Sequence, residues 1–164
     1  MKTFILSAVM AVGVLTNNVI AQSTSGGTKQ LIDAQNYVFE AQWISPMRGT
    51  THQLTSPYTL TVGKDSVVAD LPFIGRAYNA SFDIADNGIK FTSTHFSYAE
   101  KTQKKGWGVT IKVKDDSQGS QLFLTIFDNG TATLQVTSNN REGISFNGFI
   151  RARNTAESGK PAGE

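Results

Sequence analysis

Apolar residues recur at every second position through most of the chain from Asn36 onward, which is the period of a strand with one face buried and the other wet. In the first such run Tyr37, Phe39, Ala41 and Trp43 fall on one side, with Glu40 and Gln42 on the other. Pro46 to Gly49 reads as a turn, and a second strand takes Thr51 to Leu54 or a little further. Tyr58, Leu60 and Val62 then alternate with Thr59 and Thr61. Gly63 to Asp65 turns the chain, and Val67, Ala69, Leu71 and Phe73 alternate again, which predicts a hairpin. Ile89 to Phe91 opens a strand after the turn Asp86 to Gly88, and Phe96 to Tyr98 forms another or continues it. Beyond the polar turn Lys101 to Gly106, Trp107, Val109, Ile111 and Val113 alternate with Thr110, Lys112 and Lys114. Gln121 to Phe127 is almost continuously apolar, which predicts burial on both faces. Asp128-Asn129-Gly130 is the clearest hairpin signal, because a tight reversal needs the positive φ that Asn and Gly tolerate. Thr131 to Ser138 returns, and Asn139 to Gly143 turns into a last strand, Ile144 to Ile150.

About eight to ten short strands with no helices between them predict an all-β fold, a small antiparallel barrel. One short N-terminal helix precedes it: Thr28 is placed to cap a run from Lys29 to Gln35. The expected organisation is a signal peptide at 1–21, a small polar linker at 22–28, a barrel domain at 29–151 and a tail at 152–164. The signal rests on Lys2, the apolar run Phe4 to Leu15, and Val19 and Ala21 at the −3 and −1 positions before Gln22. An apolar run of about 12 residues spans only ~18 Å as a helix, short of a ~30 Å hydrocarbon core, so no membrane span is expected in the mature chain.

The 164 residues suit one domain, and 39% hydrophobic with 17% charged residues supports a folded, lightly charged one. A net charge of +2 with no basic cluster argues against a nucleic-acid partner. The absence of cysteine removes disulfides, thiolate metal sites and a lipidated cysteine after the signal. The expectation is an exported protein, periplasmic or extracellular, and not a lipoprotein.

Three stretches resemble the bacterial domain-of-unknown-function family 4251. They are Asn36 to Ala41; Leu54 to Val62 together with Ala69 to Tyr78; and Asn129 to Leu134 with Ser138 to Arg141 and Ile144 to Gly148. The specific part is the run Asp70 to Tyr78, of pattern Asp-Leu-Pro-Phe-x-Gly-Arg-Ala-Tyr. The resemblance implies an exported protein of Gram-negative envelopes with a lipocalin-like β-barrel, and it implies no established activity.

The chemistry is sparse. No nucleophile elbow, phosphate loop or short metal-ligand spacing is present, and the two histidines are His52 and His95. Asp83 and Asp86 before Gly88 suggest a calcium loop superficially, but Ala85 and Thr94 stand where ligands are needed. No cofactor, metal or catalytic group is therefore expected. The candidate ligand-binding residues are Tyr58, Phe73, Arg76 and Tyr78: Arg76 offers a planar donor fork to an anionic group, and the rings stack an apolar body. Asn139, Asn140 and Arg141 read as turn residues. The leading expectation is a non-enzymatic binding module holding a small apolar or amphipathic ligand in the barrel mouth. The alternative is a structural or protein-interaction module of the envelope, its barrel filled by its own side chains. An enzyme acting on an envelope or glycan substrate would need paired acids, with Glu40 and Asp70 as candidates.

Overall fold

The computed structural model of the chain describes residues 25–75, 88–116 and 119–153. Helix α1 (Ser25–Asp33) precedes β1 (Tyr37–Pro46), β2 (His52–Val62), β3 (Val67–Leu71), β4 (Ile89–Ser93), β5 (Phe96–Gln103), β6 (Gly106–Val113), β7 (Gln121–Phe127), β8 (Thr131–Thr137) and β9 (Ile144–Ala152). The helix starts at Ser25, inside the stretch expected as linker, and β9 runs one residue into the expected tail. The nine strands form one antiparallel sheet in the order β4-β3-β2-β1-β9-β8-β7-β6-β5. Each strand pairs with its chain neighbour except at two places: β1 meets β9, and β4 meets no strand but β3.

That second exception makes the sheet a nearly closed barrel. Strand β4 runs antiparallel to β3 and β5 runs antiparallel to β6, so by the sheet order both run in the same direction, with Thr94 and His95 between them. Together they are one bent strand that leaves β3 and joins β6. The bend is held by Asp115, just past β6. Its carboxylate accepts from the Ser93 hydroxyl and from the backbone N–H groups of Thr94 at 3.1 Å and His95 at 3.2 Å. The Lys114 N–H donates to the His95 carbonyl at 2.8 Å.

Inside, alternation does what the sequence predicts for β6 and β8. Trp107, Val109, Ile111 and Val113 point inward, as do Ala132, Leu134 and Val136. Strand β7 differs from expectation. Leu122, Leu124 and Ile126 are buried, while Phe123 and Phe127 face out and remain 37% and 40% exposed. A barrel wall has one inner face, so a continuous apolar run there is still half outside. The residues expected as two strands between Thr51 and Val62 form the single strand β2.

Helix α1 lies across the lower end. Ile32 is wholly buried in the core, the Thr28 hydroxyl donates to the Asp128 carbonyl at 3.4 Å, and the Tyr98 hydroxyl donates to the Ile32 carbonyl at 3.5 Å. Gln35 ends the helix at φ 48, with its N–H on Ile32 at 2.9 Å and the N–H of Asn36 on Leu31 at 3.1 Å, the pattern of a left-handed helix stop. Beside this end Tyr37 is buried, with its hydroxyl next to that of Tyr98. Burial pushes its phenol well above the ordinary value and pushes that of Tyr98 up to about 12, so both stay neutral.

The Asp115 clasp has a pH signature. The Ser93 hydroxyl, followed by the Thr94 and His95 N–H groups, holds the carboxyl at about 2, below its ordinary 3.8. A group depressed on folding stabilises above its unfolded value and loses that contribution as pH falls through the folded one. The melting temperature is therefore expected to drop between pH ~4 and ~2. An Asp115→Asn variant, melted across the same range, should start lower at neutral pH and lose less on acidification. An unchanged acid slope in the variant would remove Asp115 from the closure.

Candidate functional site

Pro72 lacks an N–H for the ladder, and β3 ends at Leu71. Phe73 then packs half-buried against the core, and its ring lies under the Arg141 guanidinium, 5.0 Å from Cζ to the ring centroid. Arg141 stands between β8 and β9, is 9% exposed, and donates from Nη1 to the Gly88 carbonyl at 2.8 Å. Phe73 and Gly88 flank residues 76–87, so one side chain ties together the two ends of that segment. Beneath the pair, Ile89, Ser120, Val136 and Ile144 bound a space of about 10 Å³, at the limit for a single water.

The expected binding residues meet this geometry in part. Tyr58 points toward the interior opposite Ala41 and packs on the core, as Phe73 does. Arg76 and Tyr78 lie outside the described residues, as do Asp83 and Asp86. The cation that the structure places on Phe73 is Arg141, which the sequence reading assigned to a turn. A polar run such as Asn-Asn-Arg carries no period from which burial can be read, and its only signal was its place in the family-like stretch Ser138 to Arg141.

A second site arises in β1, where the expected alternation breaks. Ala41 pairs with Tyr58 and Trp43 with Gln53, so the single residue Gln42 faces the four residues Leu54, Thr55, Ser56 and Pro57. This β-bulge shifts the phase by one: Ile44 takes the buried place that alternation assigned to Trp43. Trp43 is turned outward and 42% exposed. The break leaves an open cavity of about 360 Å³ lined by Glu40 to Trp43 and Gln53 to Pro57, within the usual ~300–1,000 Å³ of ligand sites. Gly148 makes room for it on the other side, where a Cβ would lie 1.9 Å from the Glu40 carbonyl oxygen.

The candidate acids are held by cations. Glu40 accepts from Arg151 Nε at 3.2 Å, and Asp70 lies 3.9 Å from Lys90 Nζ. Glu40 and Asp70 both pair with Thr59, so they share one outer row two strands apart. His52 lies 3.4 Å from the Thr50 hydroxyl, and His95 lies 3.6 Å from Asp115. Among the described residues no cluster of three metal-ligating side chains occurs, and no helix is long and apolar enough to cross a membrane.

The chain is thus a nearly closed antiparallel barrel with a helix across one end and a bulged, partly aromatic outer wall. Residues 21–150 match the family described as Domain of unknown function (DUF4251), and the chain belongs to that family. It is similar to the crystal structure, at 1.95 Å resolution, of a DUF4251 family protein from Bacteroides eggerthii DSM 20697. The TM-score is 0.57 at 19% identity, over 78% of this chain and 87% of that one, a likeness of fold. No curated protein matches the chain.

Two substitutions test this geometry by urea unfolding. Arg141→Ala removes a charged hydrogen bond and the cover of Phe73, and is expected to cost about 2–3 kcal/mol, with Arg141→Lys intermediate because it lacks the planar fork. Gly148→Ala must displace the bulge backbone and is expected to cost about 3 kcal/mol. Near-wild-type stability in either alanine variant would contradict the corresponding contact.

Proposed function

We propose that this chain is an exported, non-enzymatic recognition module of the periplasm that meets its partner on its outer wall. The barrel is then a rigid support and not a container. The observation that carries this reading is the filled interior among the described residues. Tyr37, Phe39, Ile44, Leu60, Leu71, Ile111, Leu122, Ile126, Leu134 and Phe146 have no accessible surface, so no space the size of a water molecule touches them. With the helix on one end and the Phe73–Arg141 pair near the other, the ligand-in-the-mouth reading loses ground to the interaction reading. Export is supported by the leader-like residues 1–21. The non-enzymatic reading is supported by the placement of Glu40 and Asp70 on an outer wall, each beside a cation, where neither is enclosed with a substrate.

Titration with N-phenyl-1-naphthylamine, an apolar probe that brightens when enclosed, distinguishes support from container. No saturable uptake by the folded chain is expected, and native mass spectrometry of protein purified from its own periplasm should give the bare mass. Saturable uptake, or a co-purifying apolar molecule, would return the ligand to the interior.

A further inference from the structure

The strand registers place outward side chains in rows that cross the wall. One row holds Gln53 on β2, Trp43 on β1, Asn147 on β9, Thr133 on β8, Thr125 on β7 and Gly108 on β6. The next row holds Ser45, Ser145, Gln135, Phe123 and Thr110. From β2 to β6 neither row contains an ionisable residue; on β5 the first continues to Lys101, and Glu40, paired with Arg151, lines the cavity. With strands ~4.8 Å apart, the first row follows the curved wall for ~24 Å of arc from β2 to β6. One end of it opens on the cavity of about 360 Å³ beside Trp43.

The chemistry of these rows is selective. A polyanion or charged headgroup would find no countercharge along them. A purely apolar body would cover hydroxyls and amides and leave them without partners. An extended peptide recognised through its main chain would need a free sheet edge, whereas, outside the unpaired stretch Leu54 to Pro57, the main chain beneath these rows is committed to ladders. A neutral, ring-built, polyhydroxylated chain fits both halves of the surface. Its hydroxyls exchange hydrogen bonds with Gln, Asn, Ser and Thr, and the C–H face of a ring lies flat on an exposed indole. Gln53 stands directly opposite Trp43, close enough to bond a hydroxyl of a ring stacked there.

We propose that the uncharged outer wall from β2 to β6 is a binding track for a neutral polysaccharide, with Trp43 at the bulge cavity stacking on one sugar ring. This rests on the reading that the partner is met on the outer wall, and it names the class of partner and the site.

The chain has two tryptophans, and Trp107 is buried, so a fluorescence change on binding reports Trp43. The purified chain is titrated with maltohexaose, cellohexaose and xylohexaose, and then screened on an array of neutral glycans. At least one neutral glycan is expected to give a saturable blue shift that persists at high salt. Trp43→Ala should weaken binding about tenfold or more, Trp43→Phe should keep part of it, and Gln53→Ala should weaken it severalfold. Circular dichroism should be unchanged in all three, since these side chains face solvent. Absence of saturable binding to every glycan, or binding that survives Trp43→Ala, would overturn the carbohydrate track. So would a protein partner held through Trp43. If glycans fail while the apolar probe is still excluded, only the carbohydrate assignment falls; if the interior takes up that probe, the outer-wall reading falls as well.

Discussion

A residue in a barrel wall points either into the interior or out to solvent, and in a regular strand its predecessor decides which. Strand β1 is paired along its length on both sides, to β2 and to β9, so its phase constrains both neighbours. The insertion of Gln42 lets Ala41 and Ile44 both face inward. Were Gln42 paired in the ladder instead of bulged, Trp43 would enter an interior already occupied by Leu60, Phe146 and Phe39, and overpacking of that kind is destabilising. The same insertion unpairs Leu54 to Pro57 of β2, which puts Pro57 where its missing N–H breaks no ladder. It also demands Gly148 on β9, because the displaced Glu40 carbonyl takes the space of a Cβ. Core packing, the outer cavity and one glycine therefore follow from a single residue.

The rest of the architecture closes what β1 organises. A sheet becomes a barrel only if its two edges are joined, and here one bent strand spans them, with Asp115 satisfying the backbone groups exposed at the bend. Asp115 is exposed, so its value is local: it fixes direction at a corner where no ladder can. The two ends differ in kind. Below, α1 contributes Ile32 to the core and is tied through Thr28 and Tyr98 to distant turns and strands. Above, Arg141 is desolvated against Phe73 yet keeps a carbonyl acceptor, the condition under which a nearly buried guanidinium is tolerated.

How far this was legible in sequence depends on what periodicity can encode. The strands β6, β8 and β9 and the Asp128 to Gly130 turn followed from alternation and turn chemistry, because regular antiparallel pairing is what those rules describe. The bulge was not legible, since Gln42 looks like any outward polar residue, and the expected burial of Trp43 failed with it. Strand β7 misled in the opposite direction: an apolar run looks the same whether a second layer covers its outer face or solvent does. Arg141 was missed because its partners, Phe73 and Gly88, are remote in sequence and belong to a tertiary contact that no local pattern records. For Tyr58 and Phe73 the sequence correctly marked aromatic residues near the core, but not that their inward packing turns them toward the protein's own side chains.

Closure bears on the outer wall as well. An open sheet guards its edges with charge so that other strands cannot add to them, and a barrel whose edges are joined has less need of that guard. Joined edges therefore permit rows of Thr, Ser, Gln and Asn without charge. They do not account for Trp43, Phe123 and Phe127 pointing outward from those rows and beside them. Threonine at these places would keep the β-propensity of the wall and expose no ring, and the buried described side chains leave no accessible surface that would draw the rings inward. Three large rings held out from the barrel, Trp43 beside the cavity and Phe123 and Phe127 on β7, increase apolar exposure and contribute nothing to the core. A partner that covered them would recover that exposed apolar area, and the uncharged rows between β2 and β6 would limit what its surface could be.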